Sequence, residues 1–281
     1  MGISIRKAKK SDQNQLDTLL HFGRYIHKHL DWRPAKDWIE SDHYYVGLKK
    51  DRIVGALAVP PEPPGVFWLR LFTTSERKKP DEVWKQLWEH AREEILEADL
   101  YNIAALSTRP WMNEFLEGSG FTLNHKVIVL EKHLEINPMA GFEPRVELRE
   151  MTEDDLEGVE AVDHAAFKPL WQNSLIQLKL GFQQAFSAQV ALKDEQIVGY
   201  QISTPTPYGA HLARLAVNPE MQGKGVGSTL VYGLFNSFLA QKTGRITVNT
   251  QQTNSVSQTL YLKTGFSLTG DEYPVYEYPQ T

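Results

Sequence analysis

The stretch with the clearest chemistry runs from Leu212 to Val231, LARLAVNPEMQGKGVGSTLV, where an apolar strand enters a polar, glycine-rich loop and then an amphipathic helix. Gly223, Gly225 and Gly227 remove side chains where backbone N–H groups must approach an anion, and the following helix presents its first, unbonded N–H groups at the same place. A pyrophosphate suits such a cradle. Two commoner phosphate motifs are excluded by spacing: the string G-x-x-x-x-G-K-[ST] does not occur, and G-x-G-x-x-G would need glycine at 228, where the chain has Ser228.

The string Gln222-Gly223-Lys224-Gly225-Val226-Gly227 resembles the acyl-CoA signature Q/R-x-x-G-x-G/A of the GNAT N-acetyltransferase superfamily. Its surroundings resemble the family too. A strand ends in Leu215-Ala216-Val217, Pro219 precedes the loop, and Asn254 to Phe266 read N-x-x-[small]-x-x-L-Y-x-x-x-G-F. The resemblance covers most of residues 146–281.

It implies acetyl-CoA as co-substrate, no metal, and residues Gln222 to Gly227 with Ser228 as the phosphate-binding loop. Pantetheine would pair like an extra strand with the main chain of Leu215, Ala216 and Val217, where two parallel strands splay. Asn254 would touch the pantetheine arm, although asparagine before a helix is also a favoured N-cap. Tyr261 takes the position of the general acid that protonates the CoA thiolate. Val256 and Leu260, four apart, would form the core face of its helix, with Tyr261 about 100° away from Leu260. His211, six residues before Val217, stands where many members carry a glutamate general base, and an imidazole with an ordinary pKa near 6.5 keeps that role open. Arg214 lies on the opposite strand face from His211 by simple alternation, placed to pair with an acidic acceptor or to form a salt bridge. Lys224 either attracts phosphates or is simply solvated.

The activity implied is transfer of acetyl from acetyl-CoA to a primary amine of a small molecule or peptide by direct attack. The acceptor would meet the segment at 165–185, where Phe167, Trp171 and Phe182 are candidates to line a pocket, core packing being their ordinary role. Two other readings stay open: a non-catalytic acyl-CoA-binding module, and a tandem-GNAT transferase with another acyl donor, such as the mycothiol synthases or aminoacyl-tRNA-dependent peptidyl transferases.

The elements that position these residues recur. Gly120-Phe121 aligns with Gly265-Phe266 and Leu71-Phe72 with Ala216-Val217 at an offset of 145, and Ile53-Val54-Gly55 with Ile197-Val198-Gly199 at 144. Each half reads as a strand (near 3–8 and 146–150), helical segments, a hairpin turning before Asp51-Arg52 or at Lys193-Asp194-Glu195, then a buried strand and a helix. Thr152 and Asp155 form a capping box ahead of Leu156, Val159 and Ala166 on one helix face. The expected fold is α/β: two tandem GNAT-like domains, each a mixed, largely antiparallel sheet flanked by helices, with a splayed parallel strand pair holding acyl-CoA in the second. Residues 1–133 form the first domain, 134–145 the linker, and 146–281 the catalytic domain. In the first, Gln222, Gly225, Gly227 and Tyr261 become Arg77, Pro80, Glu82 and Leu116; Pro80 has no N–H to give and Glu82 brings negative charge, so that domain is expected to be degenerate.

At 281 residues, with 41% hydrophobic and 23% charged residues, the chain has the make-up of a globular protein of one or two domains. A net charge of −5 without a long basic run argues against a nucleic-acid partner, and modestly against a tRNA-dependent reaction. Zero cysteines exclude disulfides, thiolate metal sites and a thioester on the enzyme. The opening MGISIRKAKK lacks an apolar signal segment and no run of 18 apolar residues occurs, so a cytoplasmic protein with no membrane partner is expected. Oligomeric state is not legible.

Overall fold

A computed structural model describes residues 2–76, 79–97, 102–134, 142–239 and 244–279. The chain divides into two compact units, Met1–His125 with Tyr273–Thr281, and Lys126–Glu272.

Unit 1 comprises β1 (Ser4–Lys7), α1 (Gln13–Phe22), β2 (Tyr25–Lys28), β3 (Tyr44–Lys49), β4 (Arg52–Ala58), β5 (Val66–Trp68), β6 (Leu71–Thr74), α2 (Pro80–Ile95), β7 (Asn102–Leu106), α3 (Pro110–Gly118) and the start of β8 (Thr122–His133). Its antiparallel sheet has the order β1-β3-β4-β6-β2, while β5 runs parallel to β7. Trp84, Leu87 and Trp88 of α2 pack on Tyr45, Leu57 and Phe72 of the sheet. Residues 275–278 complete this unit by pairing antiparallel with β7.

Unit 2 contains the rest of β8, then β9 (Glu147–Glu150), α4 (Leu156–Ala166), α5 (Leu175–Gln183), β10 (Ser187–Lys193), β11 (Gln196–Thr206), β12 (Gly209–Val217), α6 (Val226–Leu239), β13 (Arg245–Gln251), α7 (Ser255–Lys263) and the first half of β14 (Ser267–Tyr278). Strands β9 to β12 pair antiparallel in chain order of neighbours, β12 runs parallel to β13, and β13 takes Val127–His133 of β8 on its far side. Val231, Leu234, Phe235 and Phe238 of α6 pack on Ala210, Leu212, Ile246 and Val248. Each unit is thus a mixed, largely antiparallel sheet with helices against it.

The repeat extends to details of geometry. Lys50 and Asp51 adopt φ of 48° and 62°, and Asp194 and Glu195 adopt 50° and 64°, the positive φ pair of a tight two-residue hairpin turn. Both hairpins bulge beside the turn, between Gly47 and Leu48 in one and Ala191 and Leu192 in the other. Arg6 grips Asp12 at 2.6 and 2.8 Å, and Arg149 grips Asp155 at 2.7 Å through both nitrogens. The expected capping box is present: the Thr152 N–H donates to Asp155 Oδ2 at 2.8 Å, ahead of buried Leu156 and Val159.

The units differ where helical segments were expected in both. Unit 2 has α4 and α5, but unit 1 follows α1 with the strand β2, laid antiparallel on the outer edge of β6. Of the linker expected at 134–145, residues 135–141, with Pro138 and Gly141, lie outside the described residues, as does Arg77. The flanking residues are anchored: the Leu134 N–H donates to Gly244 O at 2.9 Å, and Phe142 stacks on Tyr232 with centroids 3.9 Å apart.

Candidate functional site

Strands β12 and β13 are bonded only where Gly209–Leu212 face Arg245–Val248. Beyond Leu212 they part. Ile202 faces Arg214 while its neighbour Ser203 faces Leu212, so Ala213 is an extra residue that bulges β12. Past the bulge, the Asn218 N–H donates to Val198 O of β11 at 2.9 Å, and the Ala216 carbonyl also faces β11, 3.0 Å from the place of a Cβ on Gly199. By alternation, Leu215 and Val217 aim their N–H and C=O groups into the gap. Gln222 does not point outward: its Nε2 donates to Val217 O at 3.2 Å, so this side chain ties the loop to the strand end.

The loop opens at the end of the same gap. Gly223 and Gly225 hold φ of +73° and +87°, and Gly227 stands in the first turn of α6, where a Cβ would lie 3.0 Å from Leu260. Among the described residues, the N–H groups of Gly223, Lys224, Gly225, Val226, Gly227 and Ser228 donate to no acceptor; the first bond of the helix runs from Thr229 N to Gly225 O at 3.0 Å. These consecutive donors at a helix N-terminus fit the phosphate groups of acyl-CoA. Lys224 is exposed, its Nζ 3.9 Å from Met221 Sδ.

Arg145, the last residue of the expected linker, joins this loop. Its N–H donates to Thr229 Oγ1 at 3.1 Å, and its Cγ lies 2.7 Å from where a Cβ on Gly225 would stand. The glycine is therefore required by the arginine stem crossing it as well as by φ. The Arg145 guanidinium makes no ion pair or hydrogen bond among the described residues. Its only signal in the sequence is a lone basic residue just before the first strand of the repeat.

On α7, Asn254 is the N-cap, its Oδ1 accepting from the Ser257 N–H at 3.0 Å. The expected core face is displaced. Val256 is 66% exposed and Leu260 half-buried, whereas Tyr261 is 4% exposed, in the core beside Phe266. The helix turns Tyr261 and Thr264 inward, because Phe266 after the tight Gly265 must reach the same core. The Tyr261 phenol makes no hydrogen bond among the described residues, and burial pushes its pKa up, opposed by the positive charge of Arg214.

His211 and Arg214 share one face of β12, contrary to simple alternation. Leu212 faces the α6 core, which turns His211 the other way, and the bulge then returns Arg214 to the side of His211, where it meets α4. His211 Nδ1 lies 2.9 Å from Thr247 Oγ1, and burial lowers its pKa to about 4. Neutral at physiological pH, it is a weaker base than the expected 6.5 would make it.

Arg214 is the hub of a buried network. Its Nε donates to Asp163 Oδ2 at 2.7 Å and its Nη2 to Trp171 O at 2.6 Å, while Cζ sits 3.6 Å from the Phe167 ring centroid. Asp163, with no exposed surface, also accepts from the Tyr200 hydroxyl at 2.5 Å and the Asn173 N–H at 2.8 Å. The network pins residues 167–173 against the sheet. Phe167, Trp171 and Phe182 are each half-buried rather than core, which leaves part of each ring accessible.

Residues 147–266 match the acetyltransferase (GNAT) family. An uncharacterized N-acetyltransferase of Methanocaldococcus jannaschii is 29% identical over 122 residues, 42% of this chain and 76% of that protein. A GCN5-related N-acetyltransferase from Sphaerobacter thermophilus shares the fold at a TM-score of 0.66 and 13% identity, covering 99% of this chain and 97% of that one. A tandem GNAT protein from the clavulanic acid biosynthesis pathway does so at 0.65 and 15% identity, covering 99% of each chain. Residues 147–266 are thus similar to GNAT N-acetyltransferases, and the chain shares the α/β fold of the solved GNAT structures.

Proposed function

We propose that this GNAT homologue is an acyl-CoA-dependent N-acetyltransferase whose single working site lies in unit 2, the acceptor being a primary amine of a small molecule or peptide. The observation that carries the reading is the strand edge open at Leu215 and at the Val217 N–H, leading straight to the run of unbonded N–H groups from Gly223 to Ser228. Acetyl-CoA supplies the activated acetyl thioester. Leu215 and the Val217 N–H hold its pantetheine arm by strand-like pairing, whereas Ala216, expected to share in it, is turned to β11; the loop, with Lys224 and Arg145, holds its phosphates.

Tyr261 keeps its proton on the phenol oxygen at neutral pH and gives it to the departing sulfur, whose conjugate acid has an ordinary thiol pKa of about 8.5. His211, neutral and tied to Thr247, accepts a hydrogen bond from the incoming amine at Nε2 more readily than it takes a full proton, so the amine arrives as its free base or loses its proton to water. Asn254 shapes the site through its cap on α7. We place the protein in the cytoplasm, consistent with its lack, among the described residues, of a helix long and apolar enough to cross a membrane.

Unit 1 is, in this reading, a degenerate copy. Its equivalent edge is taken by its own chain: β2 pairs along β6, and the Arg70 carbonyl, counterpart of Leu215 at the 145 offset, accepts from the His29 N–H at 3.0 Å. Pro80 opens α2 without an N–H, Asp81 and Glu82 follow in its first turn, and buried Leu116 stands for Tyr261. Calorimetric titration of the chain with acetyl-CoA tests both parts. One site per chain supports the reading, two sites remove the degeneracy of unit 1, and none removes acetyl-CoA as donor.

A further inference from the structure

Unit 1 contains a cavity of about 240 Å³ lined by His29, Asp31, Arg33, Trp38 and Arg70, with exposed Lys28 beside them. Its charges do not balance. Lys28, Arg33 and Arg70 are cationic and Asp31 is the single carboxylate on the wall.

Arg70 is the buried element of the group, with 5% of its side chain exposed. Nη1 lies 3.1 Å from Asp31 Oδ2 and Nη2 donates to Glu62 O at 2.9 Å, but Nε is buried without a hydrogen-bond partner. The buried Nδ1 of His29 is in the same position, and so are Oδ2 of Asp31 and Oε1 of Glu62. Arg33 adds a second guanidinium, 4.1 Å from the Trp38 ring centroid, while that of Arg70 lies 5.3 Å from the same ring. Two guanidinium groups gathered on one indole repel each other; the carboxylates of Asp31 and Glu62 both act on Arg70, and Arg33 makes no ion pair among the described residues. A buried ion pair made for structure alone needs Arg70 and Asp31 and gains nothing from Arg33 beside them. An unpaired donor on a buried cation costs free energy until an acceptor meets it.

We infer that this cavity binds a small oxyanion, a carboxylate or a phosphate, held by Arg33 and Arg70 over the Trp38 ring. Planar guanidinium donors match the oxygen pairs of both groups. The volume falls below the roughly 300–1,000 Å³ of pockets for drug-sized ligands, so the occupant is a small metabolite anion or the anionic end of one, not a nucleotide. The site is independent of the acyl-CoA reading, since every residue in it belongs to unit 1.

The test follows the indole N–H resonance of Trp38, assigned by Trp38→Phe, in the intact chain titrated with sodium phosphate and separately with sodium acetate at constant ionic strength. A saturable shift with either anion is expected, and the tighter of the two identifies the oxyanion. Arg33→Gln, at a half-exposed position that leaves the fold standing, should weaken that binding about tenfold. Arg70→Lys keeps the buried charge but loses the fork, and should weaken it similarly while circular dichroism reports an intact fold. The inference is overturned if neither anion shifts Trp38 saturably into the high millimolar range, or if the shift survives unchanged in Arg33→Gln. A phosphate bound at the α6 loop in unit 2 would leave the Trp38 resonance unmoved, so the two anion sites are distinguished.

Discussion

His211 and Arg214 point to the same side of β12 although three residues separate them, because Ala213 adds one residue to the strand. His211 consequently stands in the half of the sheet occupied by α4 and the Arg214 cation, and burial holds its pKa at about 4. The expected pH profile of kcat/KM has no limb near 6.5 belonging to this imidazole. Profiles of the wild type and His211→Gln should have the same shape above pH 6, and nuclear magnetic resonance should show His211 titrating near 4. A limb near 6.5 that vanishes in the variant would make His211 an ordinary general base.

Acid should destabilise the chain through its buried histidines. His27, wholly buried on β2, and His211 both have folded pKa values lowered from 6.5 to about 4 by burial. The folded state then binds fewer protons than the unfolded one. The contribution of each is complete above pH 6.5 and is lost as the pH falls towards 4, about 2 kcal/mol being gone at pH 5. The urea midpoint should drop between pH 7 and 5, and His27→Gln should flatten that drop. An equally steep drop in the variant would remove His27 as a cause.

Tyr261→Phe should lower kcat about 100-fold while leaving acetyl-CoA affinity within twofold. Because the phenol makes no hydrogen bond among the described residues, the thermal midpoint should change little. Single-turnover kinetics beside a calorimetric titration make the comparison. An unchanged kcat assigns the proton to another donor.

The loop separates charge from fold. Gly223 has open space around its Cβ position and a φ of +73° that aspartate tolerates better than most residues. Gly223→Asp should therefore cost at least tenfold in acetyl-CoA affinity with little loss of stability. Gly225→Ala, with Arg145 Cγ in the way, should affect both. Arg145→Gln should weaken binding about tenfold and make it less sensitive to salt. Equal affinity in all three variants would take the phosphates away from this loop.

How much of this could be read from residue order depends on whether the cause was local. The glycines at 223, 225 and 227, the two hairpin turns and the Thr152 to Asp155 box are local, and the sequence shows each of them. The bulge at Ala213 carries no glycine or asparagine to mark it, so alternation placed Arg214 on the wrong face. The inward face of α7 follows from Phe266 beyond the helix end, not from the Val256 and Leu260 spacing. Tyr25–Lys28 is too short to declare itself a strand without β6 beside it. Arg145 acquires its place only when residues more than seventy positions downstream fold under it.

The pairing of residues 275–278 with β7 has a temporal consequence during synthesis. A ribosome delivers Tyr276, a member of the unit 1 core, about 150 residues after His125, roughly 8–30 s later at 5–20 residues per second. Until then β7 exposes an unpaired edge. Unit 1 is therefore completed only with the last residues of the fold, and a chain truncated before Tyr273 would leave the β7 edge unpaired and open to proteases and to other strands.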